Sequence, residues 1–177
     1  MMNKFRFGNA NVPGVYFDEE NRRHLNTIRM QVAQVANALA EENKKQEAKA
    51  LLQKCDSMML PQNFPYGLAS RRQQQNQISG QFLLAAYKAG DTVLAKKVSN
   101  ALRKDLEQQI VYFNNLNANH QASLAYDNQI VQQLLQQVNG MEQYFTNPRA
   151  AFSPEGANGP IDSSPAPIQD TQVQDNP

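Results

Sequence analysis

Large apolar residues recur at intervals of three and four from about residue 18 to residue 145, and no stretch alternates with a period of two. The pattern predicts an all-α fold of about five helices. The first begins near Asp18, a capping residue followed by Glu19 and Glu20, where negative charge suits the helix dipole. Its apolar stripe is Leu25, Ile28, Val32, Val35, Ala36 and Leu39. A polar turn over Glu41 to Lys45 leads to a second helix with Ala48, Leu51, Leu52, Cys55 and Met59 on one face. Pro61 and Pro65 end that helix and open a loop. A third helix is expected from about Leu68 to Ala89, with Ile78, Phe82, Ala85 and Ala86 inward. Gly90 then turns the chain and Asp91 caps a fourth helix bearing Leu94, Val98, Leu102, Leu106 and Phe113. Residues 114–121 break the rhythm. A fifth helix carries Ile130, Val131, Leu134, Leu135 and Val138 and is expected to continue through Gly140 to Phe145.

Three regions follow. Residues 1–17 form an extended N-terminal segment in which Phe5, Phe7, Tyr16 and Phe17 are expected to pin the chain onto the first hairpin. Residues 18–146 form the helical domain. Residues 147–177 hold six of the nine prolines and few large apolar side chains, so a disordered tail is expected there.

Two copies of one pattern lie 47 positions apart. Ala38 to Cys55 aligns with Ala85 to Leu102, placing Ala48 on Ala95, Leu51 on Val98, Cys55 on Leu102 and Asn43 on Gly90. Each reads as helix, short turn, then helix with a small residue that permits close approach. Ala86-Tyr87-Lys88-Ala89-Gly90-Asp91 followed by Ala95 is similar to the turn of a tetratricopeptide repeat. In the first copy Asn43 stands for the glycine and Ala40 for the aromatic. The expected architecture is therefore two stacked tetratricopeptide-like hairpins plus a closing helix.

Composition narrows the chemistry. Amides are abundant, 22 Gln and 19 Asn among 177 residues, while the net charge is only +1. That balance gives no drive toward nucleic acid, and the doublets Arg22-Arg23, Arg71-Arg72, Lys96-Lys97 and Arg103-Lys104 are interspersed with acids. No run approaches the roughly 20 apolar residues of a membrane-spanning helix, and Met1 to Gly8 does not read as a signal peptide. One cysteine excludes an internal disulfide, and Cys55 sits on an apolar stripe, as a buried structural thiol does. His24 and His120 lie on different elements outside any catalytic motif, and phosphate-binding and metal-binding motifs are absent. The expectation is thus no catalytic residues, no cofactor and no metal. Stacked hairpins present a concave surface where amide and Arg side chains can bond an extended peptide's backbone or a glycan's hydroxyls. Arg72, Gln73, Gln74, Gln75 and Asn76 are the candidate binding face.

One resemblance goes further. Asn3-Lys4-Phe5-Arg6-Phe7-Gly8-Asn9, Pro13-Gly14-Val15-Tyr16-Phe17-Asp18-Glu19-Glu20-Asn21-Arg22-Arg23, Lys54-Cys55 with Met58, the loop from Leu60-Pro61 to Pro65-Tyr66, and Ala85-Ala86-Tyr87-Lys88-Ala89-Gly90 are the residues that carry it. Over about residues 3 to 115 the chain resembles the C-terminal soluble region of a family of bacterial multi-pass membrane proteins. That family is known as a domain of unknown function and is related to protein O-mannosyltransferases of the GT-C type. The resemblance implies a non-catalytic interaction or acceptor-positioning domain of a membrane-bound glycosyltransferase-like protein. It also implies an extracytoplasmic, periplasmic location, with a protein or peptide, or the parent's own membrane region, as partner. The alternative is an independent, cytoplasmic, soluble tetratricopeptide-like scaffold for a protein complex.

Overall fold

A computed structural model describes residues 7–147. Phe5 and, beyond Asn147, the expected tail lie outside the described residues. Among those residues the fold is all-α. It comprises α1 (Glu19–Glu41), α2 (Lys45–Ser57), α3 (Gln74–Lys88), α4 (Thr92–Asn114), α5 (Ala118–Ser123) and α6 (Ala125–Thr146), with a 3-10 turn at Arg71–Gln73.

The helix boundaries have local causes. The Asp18 carboxylate accepts from the Asn21 N–H at 2.8 Å, and that of Asp91 from the Leu94 N–H at 3.1 Å, so each occupies free donors of a first turn. The two hairpin turns are copies of each other. Asn43 N–H donates to Ala40 and Lys44 N–H to Leu39. Gly90 N–H donates to Tyr87 and Asp91 N–H to Ala86. Both patterns return the chain through a left-handed residue, a Schellman-type ending.

α1 packs against α2 and along α3, α3 against α4, and α4 against α6. Arg29 Nη1 lies 3.5 Å from Ser79 Oγ, and Lys88 Nζ lies 2.7 Å from Glu41 Oε1, so α1 and α3 run side by side in the same direction. The result is two stacked antiparallel hairpins closed by α6. Ala48 and Ala95 are wholly buried, as close helix approach after each turn requires. Leu52, Phe82, Leu83, Leu102 and Leu106 fill the core, each worth about 1.5–3 kcal/mol of burial.

Four expectations need correction. α3 begins at Gln74 rather than Leu68, because Arg72 and Gln73 take positive φ of 53° and 56°, which no right-handed helix accommodates. A sixth, short helix, α5, occupies part of the break after α4; it has no buried residue and hence no apolar rhythm to reveal it. Tyr16 is 83% exposed. It precedes buried Phe17 in an extended stretch, where neighbouring side chains point opposite ways. Finally, Arg29 is buried in the α1 stripe, whereas Ile28, Val35 and Leu39 are only partly covered. The fifth expected helix does run on through Gly140, as α6.

The segment before α1 is held by its backbone as well as by Phe7 and Phe17. The Ala10 carbonyl accepts from Leu60 N–H and from Asn63 Nδ2, both at 3.0 Å.

Candidate binding groove

The loop joining the hairpins is built around a buried cation. Arg29 is 1% exposed, and its guanidinium donates to the carbonyls of Phe64 at 3.0 Å and Pro65 at 3.1 Å. The same group lies 4.3 Å from the centroids of both the Phe64 and Tyr66 rings, which is cation–π distance. Burial pushes its pKa below the ordinary arginine value. Tyr66 donates its hydroxyl to Asp56 at 3.0 Å, and burial raises its pKa. The loop is thereby fixed from beneath by α1 and from the side by α2.

Past Tyr66 the chain crosses α4 closely. A Cβ on Gly67 would collide with the Ala101 carbonyl and lie 2.7 Å from Asp105 Cβ. The chain then turns through Arg71–Gln73 into α3. Two consecutive non-glycine residues with positive φ cost on the order of 1–2 kcal/mol each. A closed ring of amides and one carboxylate holds them. Asn76 Nδ2 donates to Gln73 Oε1 and Asp105 Oδ2, both at 2.8 Å. Gln73 Nε2 donates to Gln109 Oε1 at 2.6 Å, and Gln109 Nε2 to Asp105 Oδ2 at 2.7 Å. Asn76 Oδ1 accepts the Leu68 N–H at 3.0 Å. Gln75 completes the anchoring by donating to the Pro65 carbonyl at 2.8 Å.

The structure therefore divides the five residues of the candidate face. Gln73, Gln75 and Asn76 are buried and bonded internally; Arg72 and Gln74 are exposed. They do not share one solvent-facing surface. The outward stripe of α3 is instead Gln74, Gln77, Gln81 and half-buried Leu84, at the three- and four-residue spacing that keeps side chains on one face. Periodicity carried forward from Gln74 identifies these residues.

That stripe runs between α1 and α6 and lines three open hollows. One of about 440 Å³ lies between α1 and α3, bordered by Arg22, Arg23, Asn26, Arg71 and Gln74 and by the carboxylate of Glu19. The next, of about 690 Å³, is bordered by Arg71, Arg72, Gln74, Gln77 and Tyr126. The third, of about 400 Å³, is bordered by Gln77, Gln81, Leu84, Leu134 and Met141, with Leu102 and Leu106 in its wall. The second and third hollows share Gln77 and follow one another between α3 and α6 as a groove, and the first, on the α1 side of α3, adjoins it at Arg71 and Gln74. Its ends differ: arginines gather at the start of α3 and leucines near its finish. Among the described residues Arg71 and Arg72 have no acidic group within 4.0 Å, whereas Arg23 pairs with Glu20 at 3.2 Å. Arg22 Nε and Asn26 Oδ1, on the first hollow, are shielded from water without a hydrogen-bond partner.

Among the described residues, neither histidine nor the cysteine lines the groove. His24 is exposed beside Glu20 on α1, His120 is exposed on α5, and neither borders a hollow. Cys55 is buried, and burial pushes its thiol up to about 11. Among the described residues no three His, Cys, Asp or Glu side chains gather as a metal site would need, and no helix is long and apolar enough to cross a membrane. What the groove offers is amide donors and acceptors in a row, between a cationic end and an apolar end. No family model, curated protein or solved structure matches the chain.

Proposed function

We propose that this is a non-catalytic interaction domain whose groove holds an extended polypeptide. One observation carries the reading: the outward stripe Gln74–Gln77–Gln81 borders two hollows that follow one another between α3 and α6. A peptide backbone presents donors and acceptors on both edges, and glutamine supplies both kinds of group. A rigid support favours such binding, because less entropy is lost on ordering the site. Here the closed ring of Gln73, Asn76, Asp105 and Gln109, the first two buried and the others half-buried, fixes the start of the stripe.

The sequence resemblance supplies the setting. In that setting the domain is a periplasmic appendage of a membrane-bound glycosyltransferase-like protein, and the groove presents the protein acceptor to chemistry located elsewhere. The test is site-specific photo-crosslinking in source cells, with a photoreactive residue at Gln77 in the groove or at Val93, which is exposed on α4 away from it. The expected result is crosslinking from position 77, mapped to discrete extended segments of extracytoplasmic proteins, and little from position 93. Equal labelling from both positions, or none from position 77, would reject the reading.

A further inference from the structure

We infer that the groove selects an extended peptide that carries carboxylates at one end and a large apolar side chain four or five residues away. This rests on the peptide-holding reading and adds the chemistry of the peptide. The observations come from the two ends of the α3 stripe. At the first end Arg71 borders two hollows and Arg72 one of them, and neither has an acidic partner within 4.0 Å among the described residues. Arg72 is held at φ 53° beside Gln73 at φ 56°. A strained pair kept in place by a closed hydrogen-bond network is a feature that positions a side chain. The guanidinium fork binds a carboxylate through two parallel hydrogen bonds. At the other end Leu84, Leu134 and Met141 form an apolar hollow of about 400 Å³, with room for a leucine or phenylalanine side chain.

The spacing follows from helix geometry. Gln74 to Leu84 spans ten residues of α3, about 15 Å at roughly 1.5 Å per residue. An extended peptide covers about 3.3 Å per residue, so the same span takes between about four and five residues. Charge complementarity makes the occupant acidic, and the peptide-holding role of the groove makes it a separate chain.

The test uses the full chain and labelled peptides read by fluorescence anisotropy. The probe carries an Asp-Glu pair and a leucine about four residues on, in a Ser/Ala background. One control replaces Asp-Glu by Asn-Gln, and another moves the leucine next to the acids. The wild-type chain is expected to prefer the probe over either control by about tenfold, and more so at low salt. Arg71→Gln with Arg72→Asn is expected to abolish the preference for acid while leaving the melting curve unchanged; Asn suits the left-handed backbone at position 72. Binding that ignores the acids, or a preference unmoved by the arginine substitutions, overturns this inference and leaves the peptide-holding reading standing. Failure of every peptide to bind, to wild type and to a variant with E155Q, D162N, D170N and D175N alike, overturns both. That variant covers the remaining occupant. Binding that emerges only in that variant assigns the arginine end to the chain's own acidic C-terminal segment and overturns a separate partner.

Discussion

Asn43 and Gly90, 47 positions apart, turn the chain alike, at φ of 62° and 75°, and each begins the same pair of backbone hydrogen bonds into the preceding helix. One position thus carries a residue with no Cβ penalty and its counterpart carries one that pays it. Asn43→Gly is expected to stabilise the protein by about 0.5–1 kcal/mol, and Gly90→Ala to destabilise it by about 1–2 kcal/mol. Urea unfolding of the two variants checks this. A Gly90→Ala protein as stable as wild type would show that the turn does not require its left-handed residue.

That turn was legible because its causes are local. Asn and Gly are the residues that tolerate positive φ, and the capping aspartates act on amides three residues away. Arg29 was not legible as a core residue, because a cation in an apolar stripe reads as solvent-facing. Spacing alone marks its position: Leu25, Arg29, Val32, Ala36 and Ala40 form one buried row. The polar run Gln73 to Gln77 was legible as important but not as divided. Which amides turn inward is set by Asp105 and Gln109, 29 and 36 positions distant from their partners Asn76 and Gln73. No local pattern contains that information.

Arg29 tests how much the loop depends on one cation. Arg29→Met keeps the apolar stem but leaves the Phe64 and Pro65 carbonyls without their charged donor. A loss of about 3 kcal/mol is expected, the upper range for hydrogen bonds to a charged group. Arg29→Lys should recover little, since an ammonium does not offer the planar fork that meets both carbonyls and stacks between two rings. Equal stability of the lysine variant and wild type, by urea unfolding, would show that charge alone suffices.

Cys55 predicts a pH dependence. Burial raises its thiol from 9.0 to about 11 in the folded protein, so between those values the unfolded chain releases a proton that the folded chain keeps. The folded state then binds more protons, and stability falls as pH rises. This contribution is intact below pH 9 and is lost progressively toward pH 11. The stability advantage of wild type over Cys55→Ala should shrink by about 1.4 kcal/mol per pH unit across that window. A gap that stays constant from pH 8 to pH 11 would mean that the thiol ionises equally well in both states.

Gly67 is where the loop touches α4 without room for a methyl group. In Gly67→Ala the new Cβ meets the Ala101 carbonyl, which is helical backbone and cannot swing aside as a flexible side chain would. The expected loss is about 1–3 kcal/mol, in the range for overpacking. Truncating Asp105 to alanine keeps the Cβ that makes the second contact, so it relieves neither and should restore nothing. An unaltered melting temperature for Gly67→Ala would show that the loop lies further from α4.

The strongest separation between support and recognition lies two residues apart on α3. Asn76 is 1% exposed and makes three hydrogen bonds, to Gln73, Asp105 and the Leu68 N–H. Asn76→Ala leaves the half-buried Asp105 carboxylate and a loop amide each one partner short, so a loss of about 1–3 kcal/mol is expected. Gln74 is exposed on the groove, and Gln74→Ala should change stability by no more than about 0.5 kcal/mol. In peptide binding the order should differ. At a temperature where both variants are folded, Gln74→Ala weakens binding directly. Asn76→Ala weakens it by loosening the knuckle that holds Arg72, so the preference for acidic peptides falls with it. Parallel unfolding and anisotropy measurements check both halves. If Asn76→Ala costs stability but leaves acid preference intact, the hydrogen-bonded ring supports the fold alone and does not position the arginines.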